Sequence, residues 1–571
     1  MLQGWKHLLI GACCVALLSS GCAGGPQSKP GSGAARGNSI DGLPSNVAAQ
    51  LQKRLTWTGV PFRVAVSREM IRAEYVLPRF YKQRGYRTAW LGDSGPLPVV
   101  QQLVHAIRAS EDDGLAPATF HLEAIQTLLE DIARRQQLGM VLSSDLLVDL
   151  ELLLSDAFLT LGRQLQLGKI KPKLPGYEWF IPQTDRRDLL VVFESALESG
   201  QIAKNLQEQL PAQGGYTRLR TALAEYRRIA AAGGWPVVTP GPTLHKGDRD
   251  KRVALLRERL AISGELPAAA KTVADARLFD EPLEAAFKRF QRMHGLAEDG
   301  LLGASAIPAL NVSVQKRIRQ IALNMERWRW LPRELGRRYL AVNIANFSLR
   351  IVEDDHTVLT MPVVVGTQYR HTPVFSGVMK YVILNPSWYV PKKLAVEDVL
   401  PKMKKDPEYL EKHGFSVLRK KAGGKWVEVE PGEIDWNSLN DENFDLTLRQ
   451  DSGPTNALGR VKFIFDNPFN VYLHDTPAKE LFKKRIRTFS SGCIRLGRPL
   501  DLVKYLFPAD SSVETWAASP AGEADAEEKK LLLPNPIPVH ILYETAWVDG
   551  QGELNFRPDL YGRDELLDQY L

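Results

Sequence analysis

A cysteine and a histidine in the last sixth of the chain have the residue types and spacing for nucleophilic catalysis. Cys493 lies in the sequence SSGCIR at 490–495 and follows His474 by 19 positions (493 − 474 = 19). The chain has four cysteines, and the other three lie within residues 1–22. If that segment is an export signal, Cys493 has no disulfide partner in the folded part, which favours a reactive role for its thiol.

Strand periodicity predicts how these side chains meet. Alternation places Tyr472 and His474 on one face of a strand, and it places Cys493 and Arg495 on one face of another. If the two strands are neighbours, His474 can take the proton of Cys493, and we expect a thiolate–imidazolium pair. The alternative, a structural cysteine and an unrelated histidine, does not explain the matching faces.

The residues around the thiol add to this chemistry. Gly492 allows an unusual turn and leaves room for a substrate. In such a turn, the backbone amides around Ser491 to Cys493 can point at the oxyanion that develops during acyl transfer. Arg495 can stabilise that oxyanion or a carboxylate, and its alternative role is that of a surface charge.

β-Strands, in which successive side chains alternate between the two faces, must position these groups. From residue 338 to the end, short alternating segments predict strands, including one at 461–465 and one at 470–474. Residues 391–450 interrupt the pattern with a dense group of lysines, for which an ordinary solvated face is the alternative. We therefore predict a mainly β catalytic domain at 336–571 with an inserted lid at about 391–450.

The region before residue 336 is mostly helical. Residues 46–235 predict a helical scaffold domain, and prolines between 236 and 242 mark its end. Residues 244–313 predict three short helices with two apolar faces, which are formed by Val253, Leu256 and Leu260 and by Leu283, Ala286, Phe287 and Phe290. The fold class expected for the whole chain is multidomain α+β.

Composition excludes several classes of protein. A chain of 571 residues is too long to fold around a single hydrophobic core. Its content of 44% hydrophobic and 24% charged residues is typical of globular domains. The net charge of +7 comes without a compact basic stripe between stacking aromatics, so no nucleic-acid partner is expected. The ten histidines are scattered and no cysteine pair suited to zinc is present outside residues 1–22, so we predict no metal and no cofactor.

The N-terminus has the pattern of a targeting segment. Lys6 precedes an apolar run that is too short to span a bilayer comfortably. Residues 1–22 resemble a bacterial lipoprotein signal, in which Cys22 would be acylated after cleavage, although Ser19 stands where such signals usually carry leucine. Ordinary secretion and an uncleaved anchor are the alternatives. Residues 23–45, rich in glycine, serine, alanine and proline, predict a flexible tether.

The stretch around Cys493 resembles the catalytic domain of L,D-transpeptidases of the YkuD type. Their usual signature is a histidine, a gap, then Ser/Thr-His-Gly-Cys, a hydrophobic residue and asparagine. Ser491 replaces the second histidine and Arg495 replaces the asparagine, as in the large Gram-negative subfamily with a capping insertion. Further stretches resemble that subfamily: NMERWRW at 324–330, TPVFSG at 372–377, NPSWYVP at 385–391, YLHDTP at 472–477 and YGRD at 561–564.

The resemblance implies a mechanism. Cys493 would attack the amide carbonyl of the meso-diaminopimelate residue in a donor tetrapeptide stem, and His474 would protonate the departing D-Ala. The thioester would pass to the diaminopimelate amine of an acceptor stem, which gives a 3→3 crosslink of peptidoglycan. Carbapenems would acylate the sulfur better than penicillins. The resemblance also implies substrate or oxyanion contacts, made by Ser491, Gly492, Arg495, Tyr472, Trp388 and Asn385.

Three alternatives stay open. Water as acceptor would make the chain an L,D-carboxypeptidase, and other amines would make it an exchange enzyme. A wall-binding scaffold with a silent site is a third possibility. Residues 244–313 resemble a three-helix peptidoglycan-binding domain, for which a spacer that binds nothing is the alternative.

The same resemblance implies a location and partners. We expect the periplasm of a Gram-negative bacterium, with a lipid anchor at Cys22. Ala23 after that cysteine, in place of aspartate, favours the outer membrane. The expected partners are peptidoglycan stems, the envelope membrane and cell-wall synthesis proteins.

Overall fold

The computed structural model describes residues 46–56, 65–172, 174–181, 186–406, 408–421, 424–508, 510–519 and 527–571. The expected signal at 1–22, the tether at 23–45 and Cys22 lie outside these residues. No helix in the described part of the chain is both long and apolar enough to cross a membrane. A helical N-terminal region precedes a β-rich C-terminal region, which confirms the predicted mixed α+β class.

The N-terminal helices pack around one central helix. Ser144–Leu167 (α5) is buried along most of its length, because its apolar residues extend around the whole helix surface. The side chain of Ser143 caps its N-terminus by accepting a hydrogen bond from the amide of Leu146. The other helices of this region are α1 (Val47–Leu55), α2 (Leu77–Gln83), α3 (Val99–Ala109), α4 (Leu122–Gln137), α6 (Leu189–Ser199), α7 (Ile202–Gln207) and α8 (Gly214–Ala231). Its strands are β1 (Ala65–Val66), β2 (Glu69–Met70), β3 (Leu91–Gly92), β4 (Gly95–Pro96) and β5 (Trp179–Phe180).

A second, smaller core lies between residues 238 and 310. It is built from α9 (Lys251–Ile262), α10 (Glu281–Met293) and α11 (Ile307–Leu310). Asp250 and Asp280 cap the first two helices with their carboxylates. Both predicted apolar faces are buried in this core, as amphipathic periodicity requires.

One long helix joins the regions. α12 (Val314–Arg329) packs on α8, and both pack on the C-terminal hairpin formed by β19 (Ala546–Val548) and β20 (Leu554–Phe556). The core of α8 is therefore shared with the C-terminal region rather than with α5. β5 likewise leaves the helical region and pairs with a strand of the catalytic sheet.

The C-terminal region is built on one large sheet. Its remaining strands are β6 (Arg338–Asn343), β7 (Ser348–Glu353), β8 (His356–Gly366), β9 (Val374–Leu384), β14 (Val461–Phe465), β15 (Leu473–His474), β16 (Thr488–Ser490), β17 (Ile494–Leu496) and β18 (Lys529–Leu542). The order is β14-β15-β17-β8-β7-β6-β18-β9-β5, and a further pairing of β14 with β9 closes the sheet on itself. Three helices flank it: α16 (Pro499–Leu506), α17 (Ser511–Ala518) and α18 (Arg563–Asp568).

The predicted insertion has a core of its own, formed by buried residues between 390 and 448. We call the segment 388–450 the lid. Its strands are β10 (Trp388–Tyr389), β11 (Phe415–Lys420), β12 (Trp426–Val429) and β13 (Leu446–Gln450), in the order β10-β13-β11-β12. Its helices are α13 (Lys392–Leu394), α14 (Leu400–Met403) and α15 (Tyr409–Lys412), with a π-helical turn at Ala395–Val399.

Candidate active site

The two strands that carry the predicted catalytic pair are neighbours, as expected. β15 lies between β14 and β17, with Leu473 beside Ile494 and His474 beside Arg495 in parallel register. On its other side, His474 pairs with Lys462 of β14. Residues in register share a sheet face. Lys462, His474 and Arg495 therefore form one row across three strands, which we call the cationic row.

The turn before the nucleophile is held by its own side chains. Gly492 adopts φ +113°, a conformation that glycine reaches without strain. The hydroxyl of Ser490 donates to the carbonyl of Cys493 at 2.5 Å and accepts from the amide of Gly492 at 3.2 Å. The Gly492 amide already donates to Ser490 within the turn, so it is not free to stabilise an oxyanion. One fewer backbone amide is therefore available for that role than the sequence predicts.

The thiol of Cys493 is partly buried. Its sulfur is 3.8 Å from the carbonyl oxygen of Asn470. Burial raises the pKa of the thiol, while the backbone amide and the hydroxyl of Tyr472 and the charges of Lys462 and Arg495 act against that rise. The resting form at neutral pH is therefore the thiol.

Tyr472 connects the thiol to the lid. Burial, and then the proximity of Cys493, raises the pKa of the Tyr472 hydroxyl, while the indole of Trp388 acts against that rise. Trp388 stands on β10, where the lid begins. The phenol is therefore a proton donor positioned between the nucleophile and the base of the lid.

His474 is a neutral base in the free protein. Its Nδ1 lies 2.6 Å from the carbonyl oxygen of Asp475, which fixes the tautomer with the lone pair on Nε2. Burial, followed by the charge of Arg495, lowers the pKa of the imidazole to about 3. The predicted thiolate–imidazolium pair is therefore corrected to a neutral thiol and a neutral imidazole, because burial disfavours both charged forms.

The loop that precedes β9, whose TPVFSG stretch received no role in the sequence analysis, forms the wall behind Cys493. The hydroxyl of Thr372 donates to the carbonyl of Gly492 at 2.8 Å and accepts from the amide of Gly366 at 2.9 Å. Tyr561 donates to the carbonyl of Gly366 at 2.6 Å. Both Thr372 and Tyr561 belong to stretches noted for their resemblance, TPVFSG and YGRD, but residue type alone indicates no more than a turn at the threonine–proline pair.

Arg370, in the same loop, ties the lid to the nucleophile turn. Its guanidinium donates to the hydroxyl of Ser491 at 2.8 Å. It also forms ion pairs with Asp398 at 2.7 Å and Glu397 at 2.6 Å, both in the π-helical turn of the lid. Ser491 is thereby assigned a contact with Arg370, and the lid is anchored one residue from Gly492.

Replacing Arg370 with methionine is expected to loosen the lid. The loss of several charge-assisted hydrogen bonds should speed amide hydrogen exchange at 395–403 about tenfold, which corresponds to about 1.4 kcal/mol of local opening free energy. Mass-spectrometric exchange measures this directly. Arg419→Met, which removes a single exposed ion pair with Asp445 inside the lid, is the matched control. Equal exchange in both variants would mean that Arg370 does not hold the lid.

Other predicted site residues lie at different distances from the chemistry. The Asn385 side chain accepts from the indole of Trp516 at 3.2 Å and reaches the carbonyl of Glu527 at 3.5 Å. These contacts tie it to the segment beside α17, and its role in substrate binding stays a prediction. In the lid, Lys404 donates to two backbone carbonyls and Lys412 pairs with neighbouring carboxylates. Within the described part of the chain, no group of three or more metal-binding side chains converges.

Comparisons with known proteins follow the same division of the chain. Residues 76–223 match the model of a scaffold domain, and residues 337–513 match the model of the L,D-transpeptidase catalytic domain. A curated Haemophilus influenzae protein, named provisionally as an L,D-transpeptidase, is 35% identical over 245 residues. That match covers 43% of this chain and 48% of the relative, so the chain spans about half the length of the curated relative it matches.

Solved structures give weaker overlaps. An L,D-transpeptidase from Stackebrandtia nassauensis is 13% identical with a TM-score of 0.20, over 53% of this chain and 97% of that one. One from Xylanimonas cellulosilytica is 13% identical with a TM-score of 0.17, over 53% and 100%. Scores this low carry no argument about the fold. Residues 337–513, which match the model of the L,D-transpeptidase catalytic domain, contain the candidate site described above.

Proposed function

We propose that the chain forms 3→3 crosslinks between the meso-diaminopimelate residues of peptidoglycan stems through a thioester on Cys493. The observation that carries this proposal is the placement of Tyr472, His474, Cys493 and Arg495 on adjacent strands beneath the lid. A thiol and a neutral imidazole on adjacent strands, with a phenol next to both, are suited to acyl transfer.

In the first half-reaction, the thiol proton of Cys493 moves to Nε2 of His474 as the sulfur attacks the diaminopimelate amide carbonyl. The tetrahedral oxyanion then collapses, the C–N bond breaks, and the amine of D-Ala leaves with the proton from His474. The hydroxyl of Tyr472 acts on the sulfur as a side-chain donor, and Arg495 supplies positive charge for the oxyanion.

In the second half-reaction, the side-chain amine of an acceptor stem attacks the thioester. His474 accepts one proton from that amine and returns it to the departing sulfur, which regenerates the thiol. A closed lid excludes water, which would otherwise hydrolyse the thioester and leave a tripeptide. Because Arg370 contacts Ser491, two residues before Cys493, the position of the lid can affect the acyl-enzyme formed on Cys493.

Product analysis tests this function. Protein lacking residues 1–45 is incubated with disaccharide-tetrapeptides beside the Cys493→Ala variant, and products are identified by mass spectrometry. The expected result is a 3→3 dimer made only by the intact site. Tripeptide without dimer would identify an L,D-carboxypeptidase. No product, together with no mass added to Cys493 by a carbapenem, would favour the silent wall-binding scaffold.

The rest of the proposal concerns location and wall binding. A periplasmic protein anchored by a lipid on Cys22 suits this function, and it is supported by the sequence of residues 1–22 alone. Binding of peptidoglycan by residues 244–313 is supported by their resemblance to a three-helix wall-binding domain. Both stay predictions.

A further inference from the structure

Two cations face each other across the catalytic histidine. In the cationic row, Lys462 lies on one side of His474 and Arg495 lies on the other, each in register on a neighbouring strand. Both side chains are only partly exposed. The Nζ of Lys462 lies 3.9 Å from the ring centroid of Tyr472, so its ammonium is held over the phenol that contacts the nucleophile.

Neither cation has a carboxylate partner in the described part of the chain. The contact of Lys462 is the face of the Tyr472 ring, and the Nε of Arg495 is buried without a hydrogen-bond partner among the described residues. Glu528 and Glu480 act on these two cations only from beyond ion-pair distance. Arg329, another buried cation, is paired with Glu326 at 2.9 Å, whereas the buried Arg259 and Arg317 donate to backbone carbonyls and uncharged side chains.

A charge withdrawn from water without a partner is costly, and such an arrangement persists where a ligand supplies the counter-charge. The anion that fits is a carboxylate, because a guanidinium and an ammonium donate to its two oxygens. We propose that Lys462 and Arg495 together bind a carboxylate of the peptide stem beside His474. This inference rests on the proposed function and adds a specificity residue, Lys462, to it.

The bound carboxylate also changes the base. The charged and titratable groups around His474 are Arg495 on β17, Lys462 on β14, Lys479 with its partner Asp475 after β15, and Tyr472, whose ring centroid lies 5.6 Å from that of His474; Cys493 precedes Arg495 by two positions. The cations oppose protonation of the imidazole. An anion between them offsets this repulsion, so the proton of Cys493 can move to His474 when a stem is bound. Uncharged analogues of the stem would leave the site in its resting state.

Binding measurements on a non-reacting background test the proposal. The Cys493→Ala protein is titrated calorimetrically with the donor tetrapeptide, with the tetrapeptide amidated at the diaminopimelate carboxylate, and with the tetrapeptide amidated at D-Ala. Lys462→Met is added to this background, Lys462→Arg tests rescue, and Lys380→Met is the matched control. Lys380 belongs to the same sheet but is exposed and paired with Asp466 at 2.6 Å.

The expected result is about tenfold weaker binding of the tetrapeptide with Lys462→Met, which corresponds to about 1.4 kcal/mol, recovery with Lys462→Arg and no change with Lys380→Met. One of the two amidated tetrapeptides should bind to the protein that keeps Lys462 as weakly as the unmodified tetrapeptide binds to the Lys462→Met variant. The affinity for that amidated tetrapeptide should not change when Lys462→Met is introduced. That stem identifies which carboxylate occupies the site. The proposal would be overturned if Lys462→Met weakened binding of the unmodified tetrapeptide and of both amidated tetrapeptides equally. It would also be overturned if Lys462→Met weakened binding of none of them.

Activity separates this proposal from the proposed function. If crosslinks form with the same KM and kcat in Lys462→Met as in the natural sequence, the inference fails and the transpeptidase assignment stands. If no crosslink forms but binding depends on the carboxylate and on Lys462, the assignment fails and the carboxylate site stands. Lys462→Arg keeps the test valid if the methionine variant is unfolded.

Discussion

Replacing His474 with glutamine is expected to slow crosslink formation by about 10²–10⁴-fold while leaving the thiol of Cys493 almost as reactive toward iodoacetamide as before. The large loss follows because no other side chain of the cationic row can accept the thiol proton. The small effect on alkylation follows because His474 is neutral in the free protein and contributes no charge to the sulfur.

The alkylation rate distinguishes the neutral pair from an ion pair. If His474 were an imidazolium beside a thiolate, its removal would lower the thiolate fraction and slow alkylation by more than about tenfold. With a raised thiol pKa, the rate should instead rise with pH through one step above 9.0, the ordinary value, and show no step near 6.5. His245→Gln, an exposed histidine in the three-helix region, is the control. Parallel losses of crosslinking and alkylation would contradict the neutral pair.

Replacing Arg329 with methionine is expected to destabilise the protein by about 3–5 kcal/mol. Arg329 is fully buried near the end of α12 and pairs with Glu326 at 2.9 Å. It also donates to the hydroxyl of Tyr216 on α8 at 2.9 Å and to the carbonyl of Asp113. The variant leaves Glu326 buried without its cation, which is the costly part of the change.

The measurement is urea unfolding followed by far-ultraviolet circular dichroism, in the transition that includes α12. Arg319→Met is the matched control on the same helix, because its pair with Asp568 is exposed and should contribute less than about 1 kcal/mol. Adding Glu326→Gln to Arg329→Met should restore part of the loss, since the uncharged amide can still accept from the amide of Ile170. A loss below about 1 kcal/mol in Arg329→Met would show that this network does not join the regions.

The parts of the site that follow from local pattern could be predicted. Alternation placed Tyr472 with His474 and Cys493 with Arg495, because a strand fixes the faces of its own residues whatever its neighbours are. The turn at Gly492 was likewise expected from its residue type, and it has φ +113°. The period-two pattern after residue 338 and its interruption by the lid are also local features.

The parts that depend on register across strands could not be predicted. Lys462 is an isolated polar residue in an apolar strand, and its place beside His474 arises only when β14 pairs with β15. Arg370 lies in a loop without periodicity, and its partners in the lid are 27 and 28 residues away. The thiolate–imidazolium prediction differs from the structure, since proximity alone favours an ion pair, whereas the burial of His474, followed by the charge of Arg495, lowers the pKa of the imidazole.

The neutral thiol of Cys493 has a consequence for survival in oxidising surroundings. Peroxides attack the thiolate, and a thiol whose pKa is raised by burial presents little of it. No second cysteine in the described part of the chain is available to resolve a sulfenic acid as a disulfide. A nucleophile that ionises only during substrate turnover is thus protected from irreversible damage between turnovers.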